Sequence, residues 1–76
     1  MHRVTYRAEI LPKGNGYVGR CPELKLSGVG DEPEEALHSL QEAVEALVAR
    51  CESAGTLDQV MLEAGFVHSD GAWICL

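Results

Sequence analysis

Basic side chains are scarce in this sequence: six Lys and Arg stand against twelve Asp and Glu, a formal net charge of -6. That balance is the reverse of the electrostatic footprint left by phosphate binding, so direct nucleic-acid binding is not expected. Long apolar runs are absent as well. None approaches the ~20 residues needed to cross a bilayer, and Met1-His2-Arg3-Val4-Thr5-Tyr6 lacks the apolar core of a signal peptide, so the expected location is the cytoplasm. Cysteine is limited to Cys21, Cys51 and Cys75, an odd number with no C-x-x-C pair, which suits neither a disulfide framework nor a zinc site. His2, His38 and His68 are equally isolated, and neither a metal nor any other cofactor is expected. No G-x-S-x-G is present, and Gly14-Asn15-Gly16 joins two extended segments instead of opening a helix, so it lacks the amides that would cradle phosphate.

What is there is ordinary globular material: 76 residues, 46% apolar and 24% charged, enough for one domain over residues 1–76. A domain of this size buries only about 60% of the surface its unfolded chain exposes, so association would add stabilising burial and a homo-oligomer is expected.

Residues 3 to 11 alternate, with Val4, Tyr6, Ala8 and Ile10 on one face and Arg3, Thr5, Arg7 and Glu9 on the other, the period of a half-buried strand. Pro12-Lys13-Gly14-Asn15-Gly16 reverses the chain, Tyr17 to Cys21 forms a second strand, and Pro22-Glu23 interrupts before a third extended segment, Leu24 to Val29. Asp31 or Glu32 then caps a helix with Pro33 in its first turn, expected over about 33 to 53. Leu37, Leu40, Val44, Leu47, Val48 and Cys51 form its apolar stripe, with Pro33, Ala36 and Ala43 near the edge. Thr56-Leu57-Asp58-Gln59 has the spacing of a capping box for a second, short helix, and Phe66 to His68, a Ser69-Asp70-Gly71 turn and Ala72 to Leu76 suggest a terminal hairpin. The fold class is therefore α+β: a β-β-β-α core over residues 3–53 with a long helix on an antiparallel sheet, then a helix and a C-terminal strand or hairpin over residues 56–76.

Two groups of residues are candidates for binding. Glu35, Glu42 and Glu45 project from the polar side of the long helix, where they are either a plainly solvated face or a docking surface for a basic partner. Trp73, Ile74 and Leu76 lie in a terminal segment apolar on both faces; it either inserts into its own sheet or, as expected here, leaves an edge that a second copy covers. No residue is singled out as catalytic.

The run Gly16-Tyr17-Val18, Pro22-Glu23-Leu24, Gly30-Asp31, Glu34-Glu35-Ala36-Leu37 and Glu42-Ala43-Val44 resembles the HicB-like antitoxin family over residues 3 to about 53. The resemblance implies a truncated ribonuclease H-like β-β-β-α-β fold in two layers, without nuclease activity, and a basic RNA-cleaving toxin of the HicA type as partner. Lys25-Leu26-Ser27 departs from the family's usual glycine-cysteine, and Ser39 stands where asparagine is common. Residues 56–76 are too short and too acidic for the DNA-binding module of longer antitoxins, so autorepression is not implied. Ribonuclease H chemistry needs several carboxylates converging on two metal ions; Glu9 has no acidic counterpart between Tyr17 and Cys21. The other reading left open is a small structural or regulatory oligomer with no toxin partner.

Overall fold

A computed structural model describes residues 3–75. The alternation at the start of the chain is kept, exposure switching residue by residue from Arg3 to Ile10, but it serves two strands: β1 (Arg3–Thr5) and β2 (Glu9–Lys13). Expected as one strand, the segment divides because its halves have different neighbours. β2 is held by the hairpin to β3 (Gly16–Cys21), in register Glu9↔Arg20 through Lys13↔Gly16. The connecting loop is Gly14-Asn15, with Gly14 at φ 60 in the first central position, where a hairpin of type II′ favours glycine. Pro12 belongs to β2 and not to the turn; β2 is an edge of the order β2-β3-β4, where a missing N–H is tolerated.

β4 (Leu26–Gly30) begins two residues later than expected. Leu24 and Lys25 are occupied in the turn, where the Leu24 amide donates to the Cys21 carbonyl and the Lys25 amide to that of Pro22, each at 3.2 Å, with Lys25 at φ 56.

The long helix, α1 (Pro33–Ala54), starts from extended Glu32 with no side-chain capping bond, so Pro33 and the first-turn carboxylates Glu34 and Glu35 favour its N-terminus instead. It ends at Gly55, φ 73, where the Thr56 amide reaches back to the Cys51 carbonyl at 2.9 Å. Its stripe is shifted from the expected one. Ala36, Leu40, Val44, Val48 and Cys51 are buried, whereas Leu37 is 42% exposed and Leu47 half-buried.

The cause lies in the sheet. Gly19, Gly28 and Gly30 turn bare backbone toward α1; a Cβ on Gly28 would come within 2.4 Å of the Leu40 nitrogen, and one on Gly19 within 3.0 Å of the Ala36 carbonyl oxygen. A helix this close to a sheet has room for alanine at the contact and displaces the larger Leu37 outward.

α2 (Leu57–Glu63) follows without the expected capping box: Thr56 makes no side-chain bond to the helix, and Gln59 turns forward, its Nε2 donating to Glu63 Oε1 at 3.3 Å. Thr56→Ala should therefore change the stability by only a few tenths of a kcal/mol, against about 1 kcal/mol for a working cap; urea unfolding checks this.

β5 (Phe66–Ser69) and β6 (Ala72–Cys75) form the terminal hairpin, with Asp70 at φ 51 and Gly71 at φ 76, the pair of positive angles a type I′ loop requires. The expectation that the last strand leaves a free edge is corrected here. β6 pairs antiparallel with β5 and, on its other side, parallel with β1 (Arg3↔Ala72, Val4↔Trp73, Thr5↔Ile74), so it is the centre of the sheet β1-β6-β5.

The architecture is mixed α+β, with two three-stranded sheets. α1 packs on β3 and β4, and α2 on α1 and β5. One core joins these layers: Leu40, Val44, Val48 and Cys51 from α1, Leu57 and Met61 from α2, with Cys21, Phe66 and Trp73 from the sheets.

Candidate functional site

Glu35, Glu42 and Glu45 are all exposed, on the side of α1 turned away from Leu40, Val44 and Val48. The helical repeat puts His38 one turn before Glu42, with Nε2 3.5 Å from Glu42 Oε1, and Gln41 one turn before Glu45, donating from Nε2 to Oε1 at 3.2 Å. The three glutamates do not share one recess. Glu35 and Glu42, with Glu34, His38 and Ser39, line a shallow groove where α1 passes the end of β4 at Val29 and Gly30. Glu45 lies further along, at the rim of a second cleft between α1 and β1, whose floor includes Val4, Tyr6, Val44 and Val48 and whose margins carry Arg3 and Glu52. Glu34, which the sequence reading did not name as a binding residue, is thus closer kin to Glu35 and Glu42 than Glu45 is. From Asp31 to Ala54, Arg50 is the single Lys or Arg among seven acidic residues.

The second candidate group changes role. Trp73 is 2% exposed and packs in the core, its ring tilted 53° against that of His68 with centroids 4.8 Å apart. Ile74 is half-buried on the opposite face of a strand paired on both sides, and Leu76 lies outside the described residues. A buried indole in a central strand offers a second copy nothing to cover, so the physical basis for self-association at Trp73 is removed.

The thiols are poor nucleophiles by placement. Cys21 and Cys51 are buried and Cys75 half-buried, all unbridged. Burial pushes the Cys21 thiol up, against a lowering bond from the Leu24 amide, and the Glu23 carboxylate adds to the rise; Sγ donates to Glu23 Oε2 at 3.7 Å. A thiol raised in this way stays protonated at neutral pH. Burial likewise raises the Tyr6 hydroxyl, with Cys21 and then Glu45 contributing. Among the described residues no three His, Cys, Asp or Glu side chains are grouped to hold a metal ion. No described helix is long and apolar enough to cross a membrane.

The charge is divided between the two halves of the chain: residues 1–30 hold five of the six basic and two of the twelve acidic side chains, and the remainder holds one and ten. Net charge conceals this division, whereas counting by segment would have shown it. In the structure it becomes a division between layers, with acids on α1 and α2 and Lys13 and Arg20 on β2 and β3. Compared with protein-family models, curated proteins and solved structures, the chain matches none.

Proposed function

We propose that this chain is a non-catalytic protein-binding module of the HicB-like antitoxin type, which binds and neutralises a small basic RNA-cleaving toxin in the cytoplasm. The observation that carries the reading is the exposed carboxylate face of α1, where Glu34, Glu35 and Glu42 flank a groove at the end of β4 with Glu45 further along the helix. Such a face attracts a cationic partner over several ångströms and chooses it by sign of charge more than it supplies raw affinity. The order of elements adds support: the three antiparallel strands β2, β3 and β4 are followed by a long helix and then further strands, the β-β-β-α-β order that the resemblance implies, although β1, β5 and β6 form a sheet of their own. Glu9 stands exposed at the start of β2 and β3 carries no carboxylate to meet it, which favours binding over nuclease chemistry.

The test is association with the purified basic product of the adjacent reading frame, followed by surface plasmon resonance at two salt concentrations. Replacing Glu35, Glu42 and Glu45 together by glutamine should slow association by about tenfold at low salt and flatten its salt dependence, with the circular dichroism unchanged. An unaltered association rate would remove the docking role from this face. A neighbouring frame that encodes no basic protein, or one that does not co-purify, would favour the structural or regulatory oligomer.

A further inference from the structure

Ile10, Gly19 and Gly28 are cross-strand neighbours on the side of the β2-β3-β4 sheet that meets α1, since Gly19 and Gly28 abut Ala36 and Leu40. Strand alternation therefore sends the next row, Leu11, Val18 and Val29, to the opposite side, again in direct register across all three strands. Among the described elements no helix packs on that side; Leu11 is 41% and Val29 66% exposed. Lys13 and Arg20 emerge on the same face, and Lys25 joins them from the turn before β4. The groove they line with Leu11 and Val18 contains no carboxylate, although Glu9 stands on the same face opposite Arg20. A protein of net charge -6 thus carries an apolar row with three cations about its Leu11 and Val18 end, while Val29, at the other end, borders the groove of Glu34, Glu35 and Glu42.

We infer that this open sheet face docks the acidic face of α1 from a second copy of the chain. Charge selects the arrangement. Two open faces brought together would oppose like charges, whereas α1 offers the complement: Glu34, Glu35, Glu42 and Glu45, all exposed, with Leu37 at their margin as an apolar contact for the Leu11-Val18-Val29 row. Single-stranded nucleic acid fits less well, because the face has no aromatic side chain on which a base could stack; Tyr17 lies on the α1 side, in phase with Gly19. The contact joins two different surfaces, so each added copy leaves one of each free, and assembly closes into a ring or continues. It occupies the α1 face assigned above to a basic partner, which should therefore dissociate the assembly; the inference does not depend on that partner existing.

Sedimentation velocity of the full chain tests it. Wild type should gain mass with concentration beyond two copies at about 50 mM salt and lose it at about 0.5 M, where the screening length falls to a few ångströms. Lys13→Glu/Arg20→Glu/Lys25→Glu and Glu35→Lys/Glu42→Lys/Glu45→Lys should each remain monomeric. Mixed in equal amounts they should associate again, because each then presents the complement of the other's faces. Val29→Ser, a change at an exposed position that leaves every charge in place, should weaken self-association at least severalfold. A wild type that stays monomeric at high micromolar concentration in low salt overturns the inference, as does a mixture of the two charge variants that fails to associate. Binding of a single-stranded RNA oligonucleotide through Lys13, Arg20 and Lys25 by a monomeric wild type overturns it too, and assigns the face to phosphate.

Discussion

Gly28→Val is expected to leave the protein largely unfolded. Even a Cβ at this position would lie 2.4 Å from the Leu40 nitrogen and 2.6 Å from the Ser39 carbonyl carbon, both backbone atoms of α1 that cannot rotate aside. The helix would have to retreat from β4, and the contacts of Ala36 and Leu40, each fully buried, would open with it. Overpacking of a core costs about 1–3 kcal/mol where side chains can adjust; here backbone must move, and the loss should be at the top of that range or beyond. A domain of this length has roughly 4–11 kcal/mol in total, so little would remain. Circular dichroism and urea unfolding give the readout, with Gly55→Asn as the control. Gly55, unlike Gly28, is left-handed at φ 73 and ψ 22, yet nothing lies within 4 Å of an added Cβ, and asparagine tolerates that conformation, so the control should lose no more than about 1 kcal/mol. Equal midpoints for the two variants would mean that α1 stands further from β4 than described.

Leu40→Ala should cost about 2–5 kcal/mol, the range for a fully enclosed leucine whose cavity cannot collapse. For a domain of this size that is a fall of about 10 °C or more in the thermal midpoint. Leu47→Ala should cost distinctly less, about 1 kcal/mol, because the side chain is only half-buried and water already reaches part of the space it would vacate. The sequence pattern places Leu40 and Leu47 equally at the centre of the stripe, so this pair discriminates the observed packing from the expected one. Similar losses for both would restore the pattern's own stripe.

The difference between the two leucines has a simple origin. Helical periodicity identifies which positions share a side, but the width and direction of the buried arc depend on what the helix meets. Gly19, Gly28 and Gly30 bring the sheet backbone close to α1, which admits Ala36 and leaves Leu37 at 42% exposure. Glycine in a strand signals such an approach only when its partner is known. The capping box at Thr56 failed for a comparable reason: the spacing was present, but Gln59 found Glu63 one turn ahead instead of reaching back to the Thr56 amide.

Local chemistry was sufficient for much of the rest. The period-two alternation of residues 3–10, the loop glycine at Gly14, the helix start at Pro33, its stop at Gly55 and the Asp70-Gly71 reversal all depend on neighbouring residues and on backbone preferences that act over a few positions. The same holds for the exposure of Glu35, Glu42 and Glu45, since the polar side of a packed helix follows from its repeat. What tertiary structure alone decided is pairing between distant segments. β1 and β6 are separated by nearly the whole chain, and nothing in Arg3–Thr5 or Ala72–Cys75 by itself indicates that they lie side by side. That pairing divides the first strand, buries Trp73 and closes the terminal edge. The register of Leu11, Val18 and Val29 is another such result, since three modestly apolar residues in three strands become one uncovered row only when the strands are aligned. Side-chain pattern acts locally, whereas burial is a property of the surfaces that meet.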